Sequence, residues 1–407
     1  MLNTITEQRT HSALSHLECA RNHEIYDADK LVSAVSSPLV ARYDLKKVQC
    51  SVTKSEISRR PASMWRYREL LPVREYRHIV SMGEGYTPIY ELPKLAKFIG
   101  LRQLLIKDES TNPGDTFKAR GASAAVSRAI ELGAKTLAIA TNGNAGEALA
   151  IYGARAGIPT VVIMPVDAQE VSQKICASSG ARTYLVRGLI SDAAKIVRRG
   201  VEDEGWFDVS TLKEPYRLEG KKTMGYEIVE QLGWRFPDAI VFPTGGGIAI
   251  AAMYKAFLEL QELGWVEGRL PRLIAVQAEG CAPLVKAFHA GKKESEFCHG
   301  AHTFANGLRV PKSFGDFMVL EAIYATGGYA ISVSDEEIHN SIELVSKLEG
   351  VFLGCEAVAV VPGLRKLLEQ GAIASDDEVV LLGTGSSLKY PNSITTPNLE
   401  ILDPPDA

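Results

Sequence analysis

The chain of 407 residues is 46% hydrophobic and 23% charged, with a formal net charge of −4. That is ample material for one large or two moderate globular domains, and the acidic balance argues against nucleic acid or an anionic membrane surface as a partner. No run approaches the roughly 20 apolar residues of a membrane span, the N-terminus lacks the apolar core of a signal peptide, and the six scattered cysteines form no CxxC pair, so the expectation is a cytoplasmic protein with free thiols and no metal site.

In chain order, residues 1–80 read as an N-terminal extension, polar and partly irregular, especially up to about residue 60. From Gly83-Glu84-Gly85-Tyr86-Thr87-Pro88 onward, short apolar runs alternate with helical periods. Strands are expected at 104–107, 137–140, 160–164, 182–186, 239–242, 273–277 and 379–382. Helices are expected at 119–132, 145–156, 168–178, 192–204, 222–232, 249–263 and 335–348. Continuous apolar strands bounded by glycine and alternating with amphipathic helices predict an α/β fold, its mostly parallel sheet covered on both faces. Ligands of such sheets sit beyond the carboxyl ends of the strands.

Four segments carry candidate chemistry. Lys118 ends Asn112-Pro113-Gly114-Asp115-Thr116-Phe117-Lys118 and opens an alanine-rich helix. A helix N-terminus disfavours a cation, so the amine loses its proton more easily there, as an amine that attacks an aldehyde must. By itself Lys118 better fits a surface lysine that opens a helix, and the loops that follow change that balance. Thr141-Asn142-Gly143-Asn144-Ala145-Gly146 follows an expected strand. Its small residues can bring N–H groups to a carboxylate, Thr141 adds a hydroxyl, and the Asn144 amide can donate to a phenolate; a polar N-cap fits the same pattern. Thr244-Gly245-Gly246-Gly247-Ile248 lies between strand and helix, and successive glycine N–H groups form a phosphate nest. It lacks both the P-loop lysine and GxGxxG spacing, so the phosphate expected is that of a small cofactor; a flexible turn remains open. Gly383-Thr384-Gly385-Ser386 presents a hydroxyl at a strand end, suited to a heteroaromatic nitrogen. An amine, an amide, a phosphate nest and a hydroxyl together are the partners that pyridoxal 5′-phosphate needs.

At these residues the chain resembles the threonine synthase family, within the tryptophan-synthase-β-like class of pyridoxal phosphate enzymes. The resemblance runs from about Gly83 to Tyr390, through Gly83-Glu84-Gly85-Tyr86-Thr87-Pro88, Lys107-Asp108-Glu109-Ser110, Glu214-Pro215-Tyr216-Arg217-Leu218-Glu219-Gly220-Lys221-Lys222-Thr223 and Gly307-Leu308-Arg309-Val310-Pro311. It implies fold type II: two open parallel-sheet lobes with the cofactor between them, 81–132 with 216–395 as the large lobe and 133–215 as the small one. It implies Lys118 as the Schiff-base lysine and Asn144 facing the phenolic oxygen. Gly245, Gly246, Gly247 and Ile248 would hold the phosphate, and Thr384 would meet the ring nitrogen. Thr141, Asn142, Gly143 and Arg217 would bind the substrate, with a surface ion pair left open for Arg217. A homodimer is expected by analogy.

The implied reaction is that of a lyase on a small L-amino acid: phosphate leaves O-phosphohomoserine and water adds. A cysteate-synthase-like β-replacement, a dehydratase-like β-elimination and a non-catalytic binding protein are the alternatives. Three departures from the family pattern bear on that choice. Gly114-Asp115-Thr116 stands where the family reads T-G-S, Asn142 enlarges a small loop position, and Cys355-Glu356-Ala357-Val358-Ala359 replaces a P-E-G-A-A-like segment. Asp115 is accordingly expected to place a carboxylate beside the substrate and alter its preference.

Overall fold

The computed structural model describes residues 12–31, 35–394 and 399–402. Its strands are β1 (Leu14–Cys19), β2 (Ile25–Tyr26), β3 (Leu39–Tyr43), β4 (Ile89–Glu91), β5 (Gln103–Asp108), β6 (Leu137–Ala140), β7 (Thr160–Pro165), β8 (Arg182–Val186), β9 (Phe207–Asp208), β10 (Ala239–Pro243), β11 (Arg272–Ala278), β12 (Tyr329–Val333) and β13 (Glu378–Gly383). They form a six-stranded sheet in the order β12-β11-β10-β13-β5-β4, a four-stranded sheet β8-β7-β6-β9, and a three-stranded sheet β2-β1-β3. The four-stranded sheet is parallel throughout, and in the six-stranded one only β4 runs antiparallel.

The expected strands are present because their residues are apolar on both faces. Every residue of β6, β7, β10 and β13 is buried, as parallel strands between helical layers require. Val241 of β10 lies between Ile274 and Leu381 of its two neighbours. β12 was not expected: Gly327-Gly328 and Ser332 interrupt its apolar run, and pairing with β11 makes it a strand.

Two readings are corrected. The N-terminal stretch is more regular than its polar composition suggested, since β1 and β3 pair antiparallel from Leu14↔Tyr43 to Cys19↔Leu39. Leu17, Cys19, Leu39, Ala41 and Tyr43 are buried with Met224, Tyr226 and Met253 of the main core. Polar Ser15, His16, Glu18 and Arg42 fall between them, while Val40 is apolar and buried, and the mixture hides a period-two pattern. The helix expected from residue 222 runs instead over Tyr216–Gln231. Gly220 made the first turn look like a break, because glycine costs about 1 kcal/mol in a helix interior. Its purpose is contact: a Cβ there would lie 2.1 Å from the Arg120 carbonyl oxygen of the helix Lys118–Glu131.

That contact brings the N-terminal turns of the two helices together and places Lys118 near Arg217. Gly220→Ala must push them apart and is expected to destabilise the fold by about 1–3 kcal/mol, read as a lowered denaturant midpoint of the holoenzyme.

Candidate active site

Lys118 is delivered by a chain held on both sides. Asn112 donates from Nδ2 to the Glu109 carboxylate at 2.9 Å and accepts the Gly85 N–H at 3.0 Å. The Phe117 N–H donates to the Thr384 carbonyl at 3.1 Å, and the Ser386 N–H to that of Asp115 at 3.1 Å. The lysine motif is thereby zipped to the loop after β13. Lys389 donates to the Gly114 carbonyl at 3.0 Å and pairs with buried Glu147. The Lys118 amine lies 3.7 Å from the centre of the Phe117 ring. Burial, aided by the Arg217 charge and opposed by Glu356, brings the amine down to about 7. It therefore holds a substantial neutral fraction at neutral pH, where an exposed lysine holds almost none.

The glycine loop follows β10 and opens the helix Ile248–Glu262. Its carbonyls are occupied: Gln277 Nε2 donates to those of Thr244 and Gly245, at 3.3 and 3.4 Å, and Ser313 Oγ to that of Gly246 at 2.7 Å. The N–H groups of Gly245, Gly246, Gly247 and Ile248 make no hydrogen bond to the described residues. Side chains are excluded at Gly245, where a Cβ would meet the Gly307 carbonyl at 2.4 Å, and at Gly247, where φ is 74°. The result is a bare row of donors at a helix start, suited to a phosphate.

Asn144 opens the helix Asn144–Ala156 at the end of β6. Its Nδ2 donates to Tyr390 Oη at 2.8 Å, while its Oδ1 is buried without a partner among the described residues. A buried amide oxygen without a donor is costly. Exchanging the two amide ends lets Tyr390 donate to Oδ1 and turns Nδ2 to the orphaned side, where a phenolate would take it. Thr384 is buried, and its hydroxyl makes no hydrogen bond to the described residues. A lowered amine, a bare phosphate nest, an orphaned amide and a free hydroxyl fit pyridoxal phosphate.

The substrate-side residues are placed less uniformly. Arg217, in the first turn of its helix, is buried and donates to the Val209 carbonyl at 2.8 Å. Thr141 uses its hydroxyl inside its own loop, accepting from the N–H groups of Gly143 and Gly146 at 3.1 and 3.2 Å. Asn142 and Gly143 complete that turn, with Gly143 at φ 149°. Asp115 departs from the expectation: it is exposed, with φ 56°, and its carboxylate is not among the charges acting on Lys118. Aspartate tolerates the left-handed region better than most residues, so its backbone conformation accounts for it at a position where the family has glycine.

Sequence reasoning assigned no role to four residues around the site. Glu356 accepts the Gly307 N–H at 2.8 Å and opposes the lowering of the Lys118 amine. Tyr390 holds Asn144. Glu214 accepts the N–H groups of Tyr216 and Arg217 at 2.6 and 3.0 Å, and burial pushes its carboxyl up to about 7 against the opposing Arg217 charge. Lys221, 5% exposed, lies with its amine 6.0 Å from the same Phe117 ring. Glu214 and Lys221 both lie in the quoted Glu214-to-Thr223 motif, which was the available signal.

Residues 80–385 match the family model described as pyridoxal-phosphate dependent enzyme. The chain is 38% identical to the threonine synthase of Methanosarcina acetivorans over 385 residues, covering 93% of each chain. It is 34% identical to that of Methanocaldococcus jannaschii over 378 residues, covering 92% of this chain and 93% of the relative. Among solved structures, threonine deaminase isoform 2 from Solanum lycopersicum shares the fold with a TM-score of 0.64 at 21% identity, covering 78% of this chain and 88% of the other.

Two outcomes are expected. Borohydride reduction of the holoenzyme, followed by peptide mapping, labels Lys118, and attachment of the cofactor to the apoenzyme accelerates as pH rises through about 7, far below the usual lysine value of about 10.4. Asp115→Gly leaves kcat/KM for every substrate within about twofold, whereas Asp115→Val loses about 1–2 kcal/mol of stability to left-handed strain.

Proposed function

We propose, from the premise that the chain belongs to the pyridoxal-phosphate-dependent enzymes and, within them, to the threonine synthase family, that this lyase converts O-phosphohomoserine and water into threonine and inorganic phosphate. Bound pyridoxal phosphate supplies an electron sink for carbanions at the substrate carbons. The Gly245, Gly246, Gly247 and Ile248 N–H groups hold the cofactor phosphate, Asn144 donates to its phenolic oxygen, and Thr384 meets its ring nitrogen without forcing a proton onto it.

Lys118 is the base in this reading. Its low proton affinity leaves the amine neutral often enough to take a proton from Cα, and protonated often enough to return one at Cγ after phosphate leaves. In the turn Thr141-Asn142-Gly143 the Thr141 N–H donates to the Ile163 carbonyl and the Gly143 N–H to the Thr141 hydroxyl, so the Asn142 N–H is the backbone donor left to receive the α-carboxylate. The residues that surround the four-stranded sheet, 133–215, form the smaller lobe, which contributes Asn144; the six-stranded sheet and its helices form the larger one.

The observation that carries the choice of substrate is Arg217. Its guanidinium is buried beside Lys118, is held by one carbonyl, and forms no ion pair with the described residues, Glu214 and Asp208 acting on it only from beyond ion-pair distance. A substrate side chain ending in an anion balances that charge, whereas the hydroxyl of serine or threonine does not.

The test is product analysis by mass spectrometry with O-phosphohomoserine, phosphoserine plus sulfite, threonine and serine offered separately. Threonine and inorganic phosphate are expected from the first. Turnover of phosphoserine with sulfite alone, or deamination of threonine or serine alone, would overturn the assignment.

A further inference from the structure

We propose that Lys221 is a second ligand for the anionic end of the substrate, its ammonium and the Arg217 guanidinium together receiving a phosphomonoester. This rests on the reading of the chain as an enzyme of phosphorylated amino acids.

The first argument is placement. Lys221 and Arg217 are four residues apart in the helix Tyr216–Gln231, so they share one face with Cβ atoms about 6 Å apart. Lys118 and Lys221 lie over the same Phe117 ring, at 3.7 and 6.0 Å from its centre. Both helical side chains therefore reach the space beside the reactive amine.

The second argument is the company that buried lysines keep elsewhere in this protein. Lys107 pairs with Glu227 at 2.8 Å, Lys222 with Glu219 at 2.7 Å, Lys255 with Glu259 at 2.7 Å, and Lys389 with Glu147. Lys221 is as deeply buried, yet it makes no ion pair or hydrogen bond with the described residues. Glu214 faces the same region, but its Oε2 is taken by two backbone N–H groups and its buried Oε1 has no partner among the described residues. A lysine buried without an anion costs stability, and the fold keeps this one next to a second cation.

The charge count selects the ligand class. A single carboxylate would be balanced by Arg217 alone. A phosphomonoester brings close to two negative charges and three acceptor oxygens, which matches a planar fork plus a point charge. Burial first, then the charges of Arg217 and Lys118, pushes the Lys221 amine well below the usual lysine range, with Glu214 opposing. An arriving dianion opposes that push and favours the charged form of the lysine.

The experiment is calorimetric titration of the holoenzyme with inorganic phosphate, for wild type, Lys221→Met and Lys221→Arg, alongside KM and kcat for O-phosphohomoserine. The Met variant is expected to keep its cofactor absorbance and to melt no lower than wild type, since it loses an unpaired buried amine. It is expected to bind phosphate about 10–100-fold more weakly, as befits loss of one charge-assisted contact, with KM rising in step and the Arg variant recovering part of the loss. Phosphate binding by Lys221→Met equal to wild type overturns the inference and leaves the proposed reaction standing if turnover persists. Wild-type holoenzyme that fails to bind phosphate at tens of millimolar overturns it as well. Lys221-dependent phosphate binding without turnover of O-phosphohomoserine supports Lys221 as an anion ligand and sinks the proposed reaction.

Discussion

Arg120 holds the molecule to its geometry. It is fully buried, two residues beyond Lys118, and its guanidinium lies between two carboxylates: Nε and Nη2 donate to Glu109 at 2.6 and 2.7 Å, and Nη2 also reaches Glu227 at 2.7 Å. Lys107 of β5 donates to the same Glu227 at 2.8 Å. Burial alone would raise the Glu227 carboxyl, but the two cations outweigh it and hold it at about 2. A buried ion network is weak evidence for net stability, yet losing one member leaves an uncompensated charge and costs about 3–5 kcal/mol. Its members come from β5, from the turn after it, and from the helices Lys118–Glu131 and Tyr216–Gln231. None of these elements can slide without breaking the network, so Lys118, at the end of one helix, has a fixed relation to Arg217 and Lys221 at the end of the other.

The interior thus contains two populations of charge. Around Arg120, and around the Glu219, Lys222, Lys255 and Glu259 cluster, cations and carboxylates are matched at 2.5–3.0 Å. Around Lys118 the amines and the guanidinium form no ion pair among the described residues, and Glu356, Glu214 and Asp208 act on them only from beyond ion-pair distance. The matched sets bear the load of the fold, and their rigidity is what allows the unmatched set to stay open. Glu84, from the Gly83-Glu84-Gly85 motif, is satisfied by neutral donors instead: it accepts from Trp65 at 2.9 Å, Ser123 at 2.6 Å and Tyr152 at 2.6 Å.

Features set by local chemistry were legible in the sequence, and features set by packing were not. Strands buried on both faces announced themselves as unbroken apolar runs, and the glycine loop and the lysine motif announced themselves by residue types that few other settings demand. The start of the Tyr216 helix was hidden because Gly220 reads locally as a break and makes sense only against the Arg120 backbone. Asp115 drew attention as a charge, although its backbone angle accounts for the residue there. Glu214 and Lys221 looked like ordinary members of a charged segment, and their interest appears only once both are known to be buried, Lys221 without an ion pair and Glu214 with one oxygen unpartnered among the described residues.

The sheet order has a consequence for how the chain is made. β13, the most C-terminal of the described strands, is not at an edge but between β10 and β5, pairing with both. During vectorial synthesis the ribosome releases β5 and β10 long before their common neighbour emerges. Until then each presents a bare strand edge of the kind that recruits other nascent chains. The large sheet therefore closes only near the end of translation, and the Thr384 loop, which is zipped to Asp115 and Phe117, arrives with the strand that closes it. Termination between residues 243 and 378 leaves β5 and β10 both made and both without their common neighbour.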